Sequence, residues 1–151
     1  MTEQEPGMEA IECVEVVYRA LKRAWAPDEP LPPEAFIRKI RDSRAEGAVS
    51  VDRRKYVTAY ECRTKLNRMK GTASLHVGTV RSLPFGLDLL PDPKRDGAGL
   101  ITDPGHCLLM NLPDPIDDSE AAEYAASQLI KIARYVNREQ EDEEHRNRRP
   151  G

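Results

Sequence analysis

The chain holds three cysteines, Cys13, Cys62 and Cys107, and no two of them form a C-x-x-C pair. An odd number at long spacing excludes a disulfide framework and the usual zinc arrangements, and each thiol reads as a small hydrophobe in an apolar context. Long apolar runs are also missing. No stretch approaches the length of a membrane span, and the first nine residues are acidic, without the basic and apolar regions of a secretory signal. The glycines at 71, 78, 86, 97, 99 and 105 match neither a phosphate-binding loop nor a dinucleotide fingerprint. No H-E-x-x-H, nucleophile elbow, kinase or nuclease pattern is present, which argues against the large catalytic families. These absences lead to an expectation of a cytoplasmic protein with no cofactor, no metal and no membrane partner.

Apolar residues make up 39% of the 151, below the usual 45–50%, and charged residues make up 32%. The polar excess sits mostly at the two ends, so a normal core with polar tails is expected. The net charge of -3 conceals a division. Between Arg38 and Arg81 there are twelve Lys or Arg against four Asp or Glu; residues 1–37 carry three against eight, and residues 82–151 eight against fourteen. The basic middle either presents a surface to a polyanion or is neutralised by acidic ends folding back on it. The second reading is preferred, because mixed charge is what ordinary surfaces carry.

Two short apolar runs, Leu87–Leu90 and Cys107–Met110, are bounded by Gly, Pro and Asp and read as the central strands of a core. Ala48–Val51 and the alternating Thr72–Val77 read as two more. Ile11, Val14, Val17, Leu21 and Trp25 recur at helical spacing and predict an N-terminal helix stopped by Pro27, with Trp25 as a core anchor. Residues 26–33 form a Pro-rich connector, and Pro33 opens a short helix burying Phe36, Ile37 and Ile40, with a strand over residues 35–40 as the alternative. Residues 42–46 read as a turn and residues 52–55 as an exposed basic loop. Thr58 and Glu61 form a candidate capping box for a helix burying Ala59, Cys62, Leu66 and Met69 and ending at Gly71. A helical turn follows from Val77 to Leu83. Asp118 or Ser119 caps a last helix with Ala122, Ala125, Ala126, Leu129, Ile132, Ala133 and Val136 on its apolar stripe. The loop between Pro91 and Gly105 is long for a structureless connection, and Leu100–Thr102 within it reads as a third short strand or a tether.

Three constellations carry functional expectations. His76 and His106 form a candidate acid–base pair if their strands are neighbours, with Asp103 orienting one imidazole and Arg81 supplying a cation for an anionic substrate. The plainer alternative leaves His106 satisfying backbone groups at a strand start and His76 in solvent. Cys107 as a nucleophile beside His106 is weaker, since adjacent strand residues face opposite ways. Arg53, Arg54, Lys55, Arg63, Arg68 and Lys70 are candidate contacts to nucleic acid. Against them, the helix cations straddle the apolar stripe, and only Tyr56 and Tyr60 are near enough to stack on bases. Third, apolar helix faces support a protein partner or a homodimer.

The fold expected is α+β: a small mixed or antiparallel sheet of about four short strands packed against N-terminal and C-terminal helices. One domain spans residues 8–137, between a disordered 1–7 and a charged, frayed tail at 138–151. The function expected first is a small accessory or interaction protein. A nucleic-acid-binding protein comes second, and a small enzyme using His76 and His106 third.

Overall fold

The computed structural model describes residues 5–22, 31–37, 48–66 and 69–148. The chain runs β1 (Val16–Lys22), a 3-10 turn (Pro33–Phe36), β2 (Ala48–Arg53), α1 (Ala59–Thr64), β3 (Met69–His76), α2 (Val77–Ser82), β4 (Asp88–Pro91), β5 (Lys94–Arg95), β6 (Ile101–Asp103), β7 (His106–Met110), α3 (Ser119–Ile132), β8 (Arg134–Val136) and α4 (Arg138–Arg148). Trp25 as an anchor, the connector through Pro30, Ile40, the turn at 42–46 and Arg68 lie outside the described residues.

The chain is mixed α and β, with four α-helices among the described residues, but its sheet is larger than about four strands. Six strands pair in the order β4-β7-β2-β1-β3-β8, every neighbouring pair antiparallel. The expected N-terminal helix is instead β1, which lies between β2 and β3. Being central, it buries both faces: Val17 and Leu21 on one, Tyr18 and Ala20 on the other. A strand buried on both sides loses its alternation, and the remaining apolar spacing imitates a helix. The β-branched and aromatic run Val16-Val17-Tyr18 is the local preference that wins.

Two layers cover the sheet. On one face Val17, Leu21, Val49, Val51, Ala73, Leu75, Leu89, Cys107 and Leu109 form the main core with Ala126 and Leu129 of α3, Val77 and Val80 of α2, and Ala35 and Phe36 of the 3-10 turn. Asp118 caps α3 by accepting from the Ala121 amide at 3.0 Å, and its buried alanines 122, 125 and 126 allow close approach. On the other face Tyr18 and Ala20 meet Val57, Ala59 and Cys62. The capping box there is complete, Thr58 Oγ1 accepting from the Glu61 amide and Glu61 from the Thr58 amide. Helix α1 ends at Thr64, short of Gly71, so Met69 and Gly71 belong to β3 and Leu66 is 52% exposed.

Of the first seven residues, Glu5 pairs with Arg95 and the Gly7 amide donates to the Tyr56 hydroxyl. Gly7 has φ +88°, and a Cβ there would stand 2.1 Å from the Pro104 carbonyl oxygen, so the close approach requires glycine. Helix α3 ends at Ile132 with Ala133 as its C-cap, and Arg134–Val136 adds an edge strand to β3. Residues Arg138–Arg148 form helix α4, packed on α1 with Glu141 buried.

Candidate ligand-binding cavity

Strands β1 and β2 pair only at Val17–Arg53 and Tyr18–Asp52, whereas β1 follows β3 for its whole length. Where the first pairing stops, Arg19 enters. Its Nε donates to the Ala35 carbonyl at 3.0 Å and its Nη1 to the Ser50 carbonyl at 3.0 Å, replacing ladder partners that the diverging strands no longer supply. Burial is the leading influence on this guanidinium and brings its pKa down to about 10, which leaves it charged at neutral pH.

The divergence opens a cavity of about 460 Å³ on the face that carries α1. Its wall combines Ala20, Leu66 and Met69 with Arg19, Ser50, Asp52, Lys65, Lys94, Asp103 and His106. The β5–β6 ribbon supplies Lys94 and Asp103, so the 91–105 connection is ordered as a two-stranded arm with its own turn. Lys65 bridges the arm to the sheet. Its Nζ contacts Asp52 Oδ1 and lies 2.6 Å from Asp103 Oδ2. Burial works against the ammonium, and the two carboxylates more than offset it, raising its pKa. His106 is 6% exposed and paired across the strands with Asp52. Its Nδ1 lies 2.9 Å from the Asp92 carbonyl oxygen and 3.1 Å from Asp92 Oδ2. A bond to a carbonyl makes Nδ1 the donor and leaves Nε2 as the acceptor edge in the neutral ring.

Of the sequence candidates, the structure brings His106 and Asp103 to this cavity. Asp92, not Asp103, orients the imidazole. His76 and Arg81 are elsewhere. Strands β2 and β1 separate β7 from β3, which places the two histidines about 14 Å apart at least by strand spacing. His76 accepts from the Thr79 amide as the cap of α2, and Arg81 ties Asp88 to the Ile11 carbonyl. Cys107 is wholly buried and burial pushes its thiol up, away from nucleophilic use. Arg19, Asp52, Lys65 and Asp92 escaped sequence reading. The one available signal was charge inside strand-forming runs, at Arg19 and Asp52.

The basic middle is largely neutralised by the acidic ends. Arg53 is wholly buried and bound to Glu15 at 2.8 Å. Arg54 pairs with Glu144, Lys55 with Glu9 and Arg63 with Glu141; Lys70 is exposed. Burial pushes the Glu9 carboxyl up, but hydrogen bonds from Tyr56 and Lys55 and the Arg53 charge outweigh it and hold its pKa at about 2. Glu15 is lowered in the same way, by Arg53 hydrogen bonding that outweighs burial. Depressed carboxyls stabilise the fold fully above their ordinary pKa, 4.5, and lose that contribution as pH falls towards the folded value. The urea midpoint should therefore drop between about pH 5 and about pH 2, and Glu9→Gln should flatten the drop. Equal pH slopes for the two proteins would remove Glu9 from this account.

No helix among the described residues is long and apolar enough to cross a membrane. No group of three or more His, Cys, Asp or Glu among them is placed to hold a metal ion. Compared with protein-family models, curated proteins and solved structures, the chain matches none.

Proposed function

We propose that this chain is a small accessory protein that acts by binding, with a small molecule as ligand and the β1–β2 cavity as its site. The observation that supports this reading is the convergence of Arg19, Asp52, Lys65, Asp103 and His106 on one cavity with an Ala20, Leu66 and Met69 wall. A concave, part-apolar site with a few fixed polar groups is the usual form of a small-molecule pocket, and about 460 Å³ lies within the usual range. The surface reading towards nucleic acid has less support, because its central cation, Arg53, is enclosed and three of the others face carboxylates.

The test uses the four methionines, Met1, Met8, Met69 and Met110, as reporters. Carbon-labelled methyl groups are followed by NMR while octanol, octanoate and octylammonium are added in separate titrations, with Met69→Leu used for assignment. At least one of the three should shift the Met69 methyl saturably, at roughly millimolar concentration for a ligand of this size, with Met8 and Met110 unmoved. A Met69 signal indifferent to all three would refute the proposal.

A further inference from the structure

We propose that the ligand of this cavity is a neutral alcohol with an apolar tail, its hydroxyl bonded to His106 Nε2 and its tail on Ala20, Leu66 and Met69. The inference rests on the cavity being a ligand site, as argued above, and adds the chemical class of the ligand. Its ground is a buried acceptor without a donor. His106 is 6% exposed, and its Nδ1 is taken by the Asp92 carbonyl. No group among the described residues bonds its Nε2. Buried polar atoms in native proteins have partners as a rule, so this one calls for a donor from outside the chain. Strand pairing sets where it points. Strand β7 lies between β4 and β2, and His106 stands opposite Asp52 on the face that holds the cavity. Asp92 follows β4, and its amide donates to the His106 carbonyl at 3.0 Å. Nδ1 therefore faces the β4 side. The two nitrogens occupy opposite edges of the ring, so Nε2 faces the β2 side and outward, towards the wall that Asp52, Ser50 and Ala20 form.

The charges around Nε2 favour a neutral group. Asp52 and Asp103 both hold the Lys65 ammonium. An ionised carboxylate has no hydrogen to give to Nε2 and would stand beside those two carboxylates. A ligand ammonium has hydrogens but would have to displace Lys65 or lie against its charge. A hydroxyl brings no charge to desolvate, donates to Nε2 and can accept in return. Two of the three Lys65 N–H groups go to the carboxylates, and no group among the described residues takes the third, which is available to a ligand oxygen. A water molecule can make the same bonds, but only an alcohol also covers Ala20, Leu66 and Met69.

The three titrations, extended by heptyl methyl ether and followed by calorimetry on the full chain, separate the possibilities. The ether has the formula of octanol without its hydroxyl. Octanol should bind roughly three- to tenfold more tightly than the ether, and more tightly than octanoate or octylammonium. His106→Phe should bring octanol down to the affinity of the ether. Nitrogen-labelled imidazoles, followed by NMR in alkaline buffer, give a readout that does not depend on how that variant folds. With signals assigned through His76→Asn and His145→Gln, the His106 Nε2 resonance should be that of an unprotonated nitrogen and should move saturably with octanol. Any of the other three ligands binding as tightly as octanol overturns the alcohol as ligand class while leaving the cavity a binding site. So does an unchanged octanol affinity in folded His106→Phe, or an Nε2 resonance indifferent to octanol. Absence of any Met69 response overturns both this inference and the binding function.

Discussion

Arg53→Met is expected to lower folding stability by about 3–5 kcal/mol, the usual cost of removing one partner of a buried ion pair. It should appear as a reduced urea midpoint at nearly unchanged slope. Arg53 closes β2 and is fully enclosed. Its Nε and Nη2 grip the two Glu15 oxygens at 2.9 and 2.8 Å. Its Nη1 donates to the carbonyls of Gly7 and Glu9, and Nη2 also reaches that of Ala10. One side chain therefore fastens the segment 7–15 to the end of the sheet. Methionine fills the space of the aliphatic stem but leaves the Glu15 carboxylate, 11% exposed, and three carbonyls without their donor. Arg53→Lys should recover little, since an ammonium cannot span the same fork. Adding Glu15→Gln to Arg53→Met should recover part of the loss, because the orphaned charge is gone. A phosphate-binding surface arginine would behave differently: its substitution would stay within about 0.5 kcal/mol of wild type. That small an effect would overturn the clamp.

Features written in local chemistry were legible in the sequence. Thr58 and Glu61 announce the start of α1 because both halves of a capping box lie within three residues. Leu89, Cys107 and Leu109 announce core strands because apolar runs between Gly, Pro and Asp have few other uses. What the sequence concealed depends on partners distant in the chain. Val16–Lys22 looks helical until β2 and β3 cover both its faces. Ala133 and Val136 continue the stripe of α3 in the sequence, and only the open edge of β3 turns Arg134–Val136 into a strand. The cavity is the extreme case. It exists because two strands pair at two positions and then part, and no residue pattern records where a ladder stops. His106 and Asp103 were identifiable as candidates from their place before a buried strand. Lys65, which joins Asp103 to Asp52, looked like an ordinary surface cation.

Helix α4 shows how a charged segment can be bound by its charges, and Glu141→Ala should cost about 2–4 kcal/mol on that ground. Residues 141, 144, 145 and 148 share one helix face by their spacing. Each meets the α1 region. Glu141, 1% exposed, takes bidentate bonds from Arg63, Nη2 to Oε1 at 2.6 Å and Nε to Oε2 at 3.1 Å. Glu144 accepts from the Ala59 amide at 2.6 Å and from the Tyr18 hydroxyl. His145 meets Thr58 Oγ1 at 3.1 Å, and Arg148 donates to the Val57 carbonyl at 2.9 Å. A hydrophobic pattern cannot register this face because none of its members is apolar. The cost of Glu141→Ala falls at the lower part of the range for buried pairs, since Arg63 is 14% exposed and regains some water. Truncation after Asn137 should lower the midpoint at least as far, because it also strips the Ala59 amide and the Tyr18 hydroxyl of Glu144. A frayed tail would leave the midpoint unmoved by either change. The two variants therefore decide whether α4 is part of the folded unit, and with it whether the acidic end of the chain is what occupies Arg54 and Arg63 in place of an external polyanion.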